Sequence, residues 1–132
     1  MQLKCLLKSS GRGAVRCSRL LKIITANRPG HLATEDGIPL DFDKWIASER
    51  GAISFEYDLL GATTSDLVIY IGPSGIDAWA EVGAAFACGI PIYGLWAKGE
   101  QAGLMRRMVS LWFTDYRELL KACDNFKRNR GL

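Results

Sequence analysis

The sequence predicts an α/β protein, a three-layer sandwich on a mostly parallel, Rossmann- or flavodoxin-like sheet, and three observations lead there. The first is "DLVIYI" at 66–71, a continuous β-branched run typical of a strand buried on both faces. The second is the stretch after it: a Gly72-Pro73-Ser74-Gly75 loop, a helix-patterned segment over 77–88, and "PIYGLW" at 91–96. Strand, helix and strand in about thirty residues make a βαβ unit, and such units join parallel strands. The third is that strand-like and helix-like segments go on alternating to either side, the pattern of helices layered on a sheet.

The elements can be justified in order. "QLKCLL" at 2–7 is a plausible first strand, followed by the turn-like "KSSGRG" and a helical pattern over 14–24, with Val15, Leu20, Leu21 and Ile24 close to one face. A rival parse makes "LLKIIT", 20–25, the first strand. Residues 27–40 carry Pro29, Gly30, Gly37 and Pro39 and read as irregular chain with room for one short strand. "DFDKWIASE" fits a short helix started by Asp41 or Asp43, and "FEYDLLGATTS" a helix over 54–62 that feeds the buried strand. Gly89 suits a left-handed cap to the helix over 77–88, with Pro91 barring its continuation. Beyond "PIYGLW" come a loop or short helix around 104–108, a strand over 109–113, and a last helix capped by Asp115, with Glu118 three residues on as in a capping box.

Composition narrows the function classes. The chain has 132 residues, enough for a single domain over 1–132 with its own core, and 48% hydrophobic with 23% charged residues excludes disordered and fibrous classes. A net charge of +3 is too mild to imply nucleic acid, although every charge from Lys4 to Arg28 is positive. That basic, acid-free beginning also fits an organelle transit peptide, against which the folded-element patterns of the same residues weigh. No apolar run approaches a membrane span, so a cytoplasmic location is expected. Cys5, Cys17, Cys88 and Cys123 form no C-x-x-C pair and His31 stands alone, so no metal and no cofactor is expected.

In open parallel sheets, ligands bind beyond the carboxyl ends of the strands, where the Pro-Ser-Gly loop falls. A helix starting near Asp77 aims unsatisfied amides at that loop, and Gly75 allows close backbone approach. Asp77 and Glu81 are four apart and share one helix face, and paired carboxylates can divide acid and nucleophile roles. Glu81 borders the apolar strip of Ala78, Val82 and Ala85, where the small residues and Gly83 would let the helix lie close to the sheet. The plainer reading, which pattern alone favours, is that both acids complement the helix dipole on a solvated turn.

"SDLVIYIGPSGIDAWAEVGAAFACGIPIYGL", with Leu104-Met105 and "RELLKAC" after it, resembles the nucleoside 2-deoxyribosyltransferase-like superfamily, which includes deoxyribonucleoside-monophosphate N-glycosidases and an uncharacterised Pro-Ser-Gly branch. The resemblance lies in Asp66 before the buried strand, the Gly72–Gly75 loop, Glu81-Val82-Gly83, and Gly89-Ile90-Pro91. It implies that Glu81 is a nucleophile attacking the anomeric carbon of a deoxyribose, that Asp77 positions sugar or base, and that Gly72, Pro73, Ser74 and Gly75 meet the sugar or 5′-phosphate. Ser9 and Ser10, in "LLKSS", match a first-strand substrate loop more weakly. The resemblance further implies a small-molecule nucleoside or nucleotide as ligand and a homodimer or higher homo-oligomer. In that assembly "LMRRMVSLWF" would either complete a neighbour's site or serve as core. Where active transferases often carry an aspartate six positions before the glutamate, this chain has Gly75. A non-catalytic nucleotide-binding or sensor module on the same scaffold is the alternative, and an emptied scaffold the third reading.

Overall fold

A computed structural model of the chain describes residues 21–25, 34–35, 38–39 and 42–131. Its centre is a four-stranded, all-parallel sheet in the order β1-β4-β5-β6, comprising β1 (Leu21–Thr25), β4 (Leu67–Ile71), β5 (Ile92–Leu95) and β6 (Leu111–Phe113). Two two-residue strands, β2 (Thr34–Glu35) and β3 (Ile38–Pro39), pair antiparallel apart from it. The helices are α1 (Phe42–Ala47), α2 (Glu49–Thr64), α3 (Ile76–Ala87) and α4 (Tyr116–Asn129), with a 3-10 turn at Leu104–Met108. This is the α/β, Rossmann-like sandwich that the sequence predicts.

Strand β4 explains the layering. Its side chains alternate: Val68 and Tyr70 enter a core with Ile24, Ala62, Ala78, Val82, Ala85, Ile92 and Val109, which sits under α2 and α3. Leu67 and Ile69 enter a second core with Leu119 and Cys123 of α4. A strand flanked on both edges and covered on both faces has no solvated side, hence its unbroken apolar run.

The expected helix over 14–24 is corrected where it can be compared. Residues 21–25 are a strand paired in parallel with β4, Leu21 opposite Leu67 and Thr25 opposite Ile71. The rival parse is the one realised, because Ile24 is buried among the core under α3 while Leu21 packs on the α4 side, a period of two rather than 3.6. The expected strand at 2–7, the rest of that helix, and Ser9 and Ser10 lie outside the described residues. Helix α2 begins five residues before the expected start: the Ser48 hydroxyl accepts from the Gly51 amide at 3.0 Å and so caps Glu49 onward.

Helix α3 lays Ala78, Val82 and Ala85 on the sheet. It ends as expected: Gly89 has φ +72°, its amide donates to Phe86 O, and the Ile90 amide donates to Ala85 O, both at 3.0 Å. Gly83 is not what permits the close approach, since a Cβ there would meet nothing within 4 Å. The capping of α4 by Asp115 is also realised, its carboxylate accepting from the Arg117 amide at 2.7 Å.

One row across the sheet shapes the region above it. Tyr70 of β4, Gly94 of β5 and Trp112 of β6 are consecutive partners in register. A Cβ at Gly94 would come within 2.6 Å of the Trp112 ring, so the bare glycine lets the indole lie across β5 to meet Tyr70, ring centres 5.8 Å apart. Trp112 thus packs, half-buried, against the core, whereas Leu104 and Met105 of the same segment are exposed.

Candidate active site

Helix α3 starts just past the carboxyl end of β4, and its two flanks carry two different polar clusters. At about 100° per residue, Trp79 and Glu81 lie about 160° apart around the axis. Asp77, about 40° from Glu81 on the same geometry, shares its flank but is exposed.

On the first flank, Glu81 meets Lys22 of β1 and Asp58 of α2. Lys22 has the same strand parity as Ile24, so its stem runs under the helices, against Gly61, where a Cβ would approach Lys22 Cδ to 3.1 Å. The ammonium is 2.8 Å from Asp58 Oδ1, which it hydrogen-bonds, and 3.7 Å from Glu81 Oε2, too far for a hydrogen bond but close enough to act through its charge. Glu81 Oε2 is buried and has no hydrogen-bond partner. Burial pushes the Glu81 carboxyl above its ordinary range; Lys22 pulls it back, while Asp58 and Asp77 push it further up.

On the second flank stands a connected network. The Tyr70 hydroxyl donates to Glu100 Oε2 at 2.8 Å and accepts from Ser74 Oγ at 2.8 Å and Trp79 Nε1 at 3.1 Å. Glu100 Oε1 accepts from Arg106 Nε at 3.2 Å and Nη2 at 2.8 Å, and the Arg106 guanidinium lies over the Trp79 ring, 4.0 Å from its centre. The Glu100 side chain is only 1% exposed, so the pair with Arg106 is what makes its burial tolerable. Burial raises the Tyr70 phenol above its ordinary value; Ser74 lowers it in part and Glu100 raises it.

The Pro-Ser-Gly loop is held by this second cluster. The Gly72 amide donates to Leu95 O at 3.1 Å, and a Cβ on Gly72 would run into Glu100 Oε2, so the residue has to be glycine while that carboxylate is there. Pro73 follows a cis peptide bond and is exposed. Gly75 is the N-cap of α3 and offers no side-chain cap; open space surrounds the position its Cβ would take. The structure therefore joins Asp77 and Glu81 on one flank and turns Gly72 and Ser74 to the other, with the open start of α3 between them.

Tyr70, Trp79, Glu100, Arg106, Lys22 and Asp58 do not emerge as site residues from sequence reasoning. A signal for Lys22 exists: in the parse that makes 20–25 a strand, a lysine alternates with Ile24 on the covered face and needs an anion there. Asp58 has one too, since Asp58, Gly61 and Ala62 of α2, with Ser65 at its C-cap, form a polar and small-residue stripe at helical spacing. Glu100, in the loop "KGEQ", has none.

Fold and site together define an α/β protein with a half-buried carboxylate on one flank of the helix that follows its central parallel strand, and a glycine-containing loop tied to a second polar network on the other flank. Comparison of the chain with family models, with curated proteins and with solved structures returned no match. Among the described residues, no helix is long and apolar enough to cross a membrane, and no three His, Cys, Asp or Glu side chains are grouped to hold a metal ion.

Proposed function

We propose that the protein cleaves or transfers the N-glycosidic bond of a deoxynucleoside or deoxynucleoside 5′-monophosphate, with Glu81 as nucleophile. The observation that carries this is Glu81 Oε2, a buried acceptor without a hydrogen-bond donor, about one and a half helical turns from the uncapped start of α3. A buried polar atom without a hydrogen bond costs about 1–3 kcal/mol, and a catalytic role or a bound group is one explanation for keeping it. The resemblance of about residues 58–122 to the nucleoside 2-deoxyribosyltransferase-like superfamily supplies the chemistry. A Glu81 oxygen bonds to C1′ as the C1′–N bond breaks, the bonding pair leaves with the base nitrogen, and that nitrogen takes up a proton. Water, or a second base, then displaces the glutamate and regenerates the carboxylate. Lys22 opposes protonation of Glu81 and so keeps the nucleophile available.

A second reading, nucleotide binding without turnover, is supported by the same lysine. Its charge, held beside the carboxylate by Asp58, makes Glu81 a weaker nucleophile. In either reading a homodimer or higher homo-oligomer is expected, and one side of α2, with Ile53 and Leu60 exposed, is consistent with that.

The test is incubation with deoxynucleosides and their 5′-monophosphates, following free base by chromatography. Base release by wild type and none by Glu81→Ala supports the glycosidase. Release that survives Glu81→Ala removes the nucleophile, and ligand-induced thermal stabilisation without release favours the binding module.

A further inference from the structure

The second network fixes the direction of each of its hydrogen bonds, and with it the bonding capacity left to Ser74. Glu100, paired with Arg106, only accepts, so the single Tyr70 hydroxyl hydrogen is committed to Glu100 Oε2. Tyr70 has two lone pairs remaining. Trp79 Nε1 has no acceptor capacity and donates into one of them; Ser74 Oγ, 2.8 Å away, donates into the other. The single hydrogen of Ser74 therefore points inward. Ser74 is half-buried, at the turn between β4 and the open start of α3, and toward solvent it presents lone pairs alone.

We propose that Ser74 is an acceptor-only subsite, which selects a ligand hydroxyl or N–H donor and gives no hydrogen bond to a phosphate oxygen, with Glu100 and Tyr70 as the positioning residues that orient it. The inference rests on reading the 72–75 loop as the sugar end of the site, and within that reading it narrows the substrate class. At Ser74 the ligand brings a free sugar hydroxyl, whereas a 5′-phosphate dianion, which only accepts, draws its contacts from elsewhere. A phosphate set against Ser74 would place lone pair against lone pair unless the serine hydrogen left Tyr70, and that would leave a buried phenol oxygen short of a partner.

The test separates donors from acceptors at constant size. Dissociation constants are measured by calorimetry in Glu81→Gln, so that turnover cannot deplete the ligand, and in Glu81→Gln/Ser74→Ala. The ligands are 2′-deoxynucleosides of the four bases, their 3′-fluoro and 5′-fluoro analogues, which lack the donor, and their 5′-monophosphates. One of the two fluoro positions is expected to weaken binding about threefold to tenfold when Ser74 is present and not when it is absent. Ser74→Ala is expected to leave monophosphate affinity unchanged where the 5′-fluoro position carries the penalty, and to weaken nucleoside and monophosphate alike where the 3′-fluoro position does, because the 3′-hydroxyl is present in both. Tyr70→Phe frees the serine hydrogen, so Ser74 can donate as well as accept and is expected to begin contributing to phosphate binding while the fluoro penalty persists; should that variant fail to fold, the Ser74 comparison decides alone.

Equal binding of both fluoro analogues and the parent, or a Ser74→Ala loss as large for monophosphate as for nucleoside when the 3′-fluoro analogue carries no penalty, overturns the proposal. The fluoro pattern without base release from wild type removes the glycosidase and leaves the subsite. Base release without the fluoro pattern does the reverse, and no binding of any deoxynucleoside or monophosphate overturns both.

Discussion

Lys22→Met is the most informative single change at Glu81. It keeps the apolar stem that lies along Gly61 and removes only the ammonium. Unit charges 3.7 Å apart, the Lys22–Glu81 separation, attract by about 1 kcal/mol in bulk water and about 4.5 kcal/mol at an effective dielectric of about 20. The two side chains are 15% and 20% exposed, wet enough to favour the lower part of that span. Asp58, 47% exposed, can also turn to water once its partner is gone and so relieve its own repulsion of Glu81. The expected net loss is about 1–2 kcal/mol, a factor of about 5–30 in the carboxylate-to-acid ratio of Glu81. Glu81 already titrates above the ordinary glutamate range and attacks only when ionised, so the acid limb of kcat/KM for base release moves further toward neutrality in Lys22→Met. The deficit is greatest below that limb and fades at alkaline pH, where both proteins carry the carboxylate. A carbon-13 titration of the Glu81 carboxyl reads the same shift without turnover. A limb and a titration midpoint that stay in place, or move to lower pH, refute the electrostatic role of Lys22.

Three further outcomes are expected from the same geometry. Because burial raises Glu81 in the folded state, the stability it confers is fully present below its unfolded value and lost as pH rises through the raised folded value. Glu81→Gln, which does not ionise, should therefore match wild type in acid and gain Tm relative to it across that window; a Tm difference that ignores pH refutes the assignment. Arg106→Met leaves a carboxylate that is 1% exposed without its cation and should cost about 3–5 kcal/mol in denaturant unfolding, where a loss under about 1 kcal/mol would mean that Glu100 is not held as a buried ion pair. Gly94→Ala drives a methyl to 2.6 Å from the Trp112 ring and should cost about 1–3 kcal/mol, with unchanged stability refuting the tight passage of the indole over β5.

The parts of the fold that are legible from sequence are those where local pattern and tertiary role agree. "DLVIYI" can bury both faces only as a central strand, and Gly89 before Pro91 fixes where α3 stops, so the βαβ unit stands as predicted. Leu20 to Thr25 misleads because its apolar residues fit two periods over so short a run, and pairing with β4 decides between them. The start of α2 is hidden because Gly51 in its first turn looks like a breaker, although Ser48 caps through that residue's amide. Within the candidate site, Glu81 is legible as a charge in an apolar strip and Ser74 as a loop residue. Their separation onto opposite flanks of α3 is not. It depends on Lys22 and Glu100, which lie far from α3 along the chain and meet it only through the sheet and the loop after β5.

The Tyr70–Gly94–Trp112 row has an optical consequence. Of the four tryptophans, Trp79 and Trp112 flank Tyr70 at 4.6 and 5.8 Å, and Trp96 meets Trp112 at 5.1 Å with the rings inclined at 72°. Aromatic rings held so near one another in a fixed arrangement give near-ultraviolet circular dichroism and fluorescence that depend on their mutual placement. Because Trp79 and Tyr70 also hold the loop of Ser74, a shift of that loop on ligand binding changes that placement, and the protein carries an unlabelled spectroscopic gauge of its own candidate site.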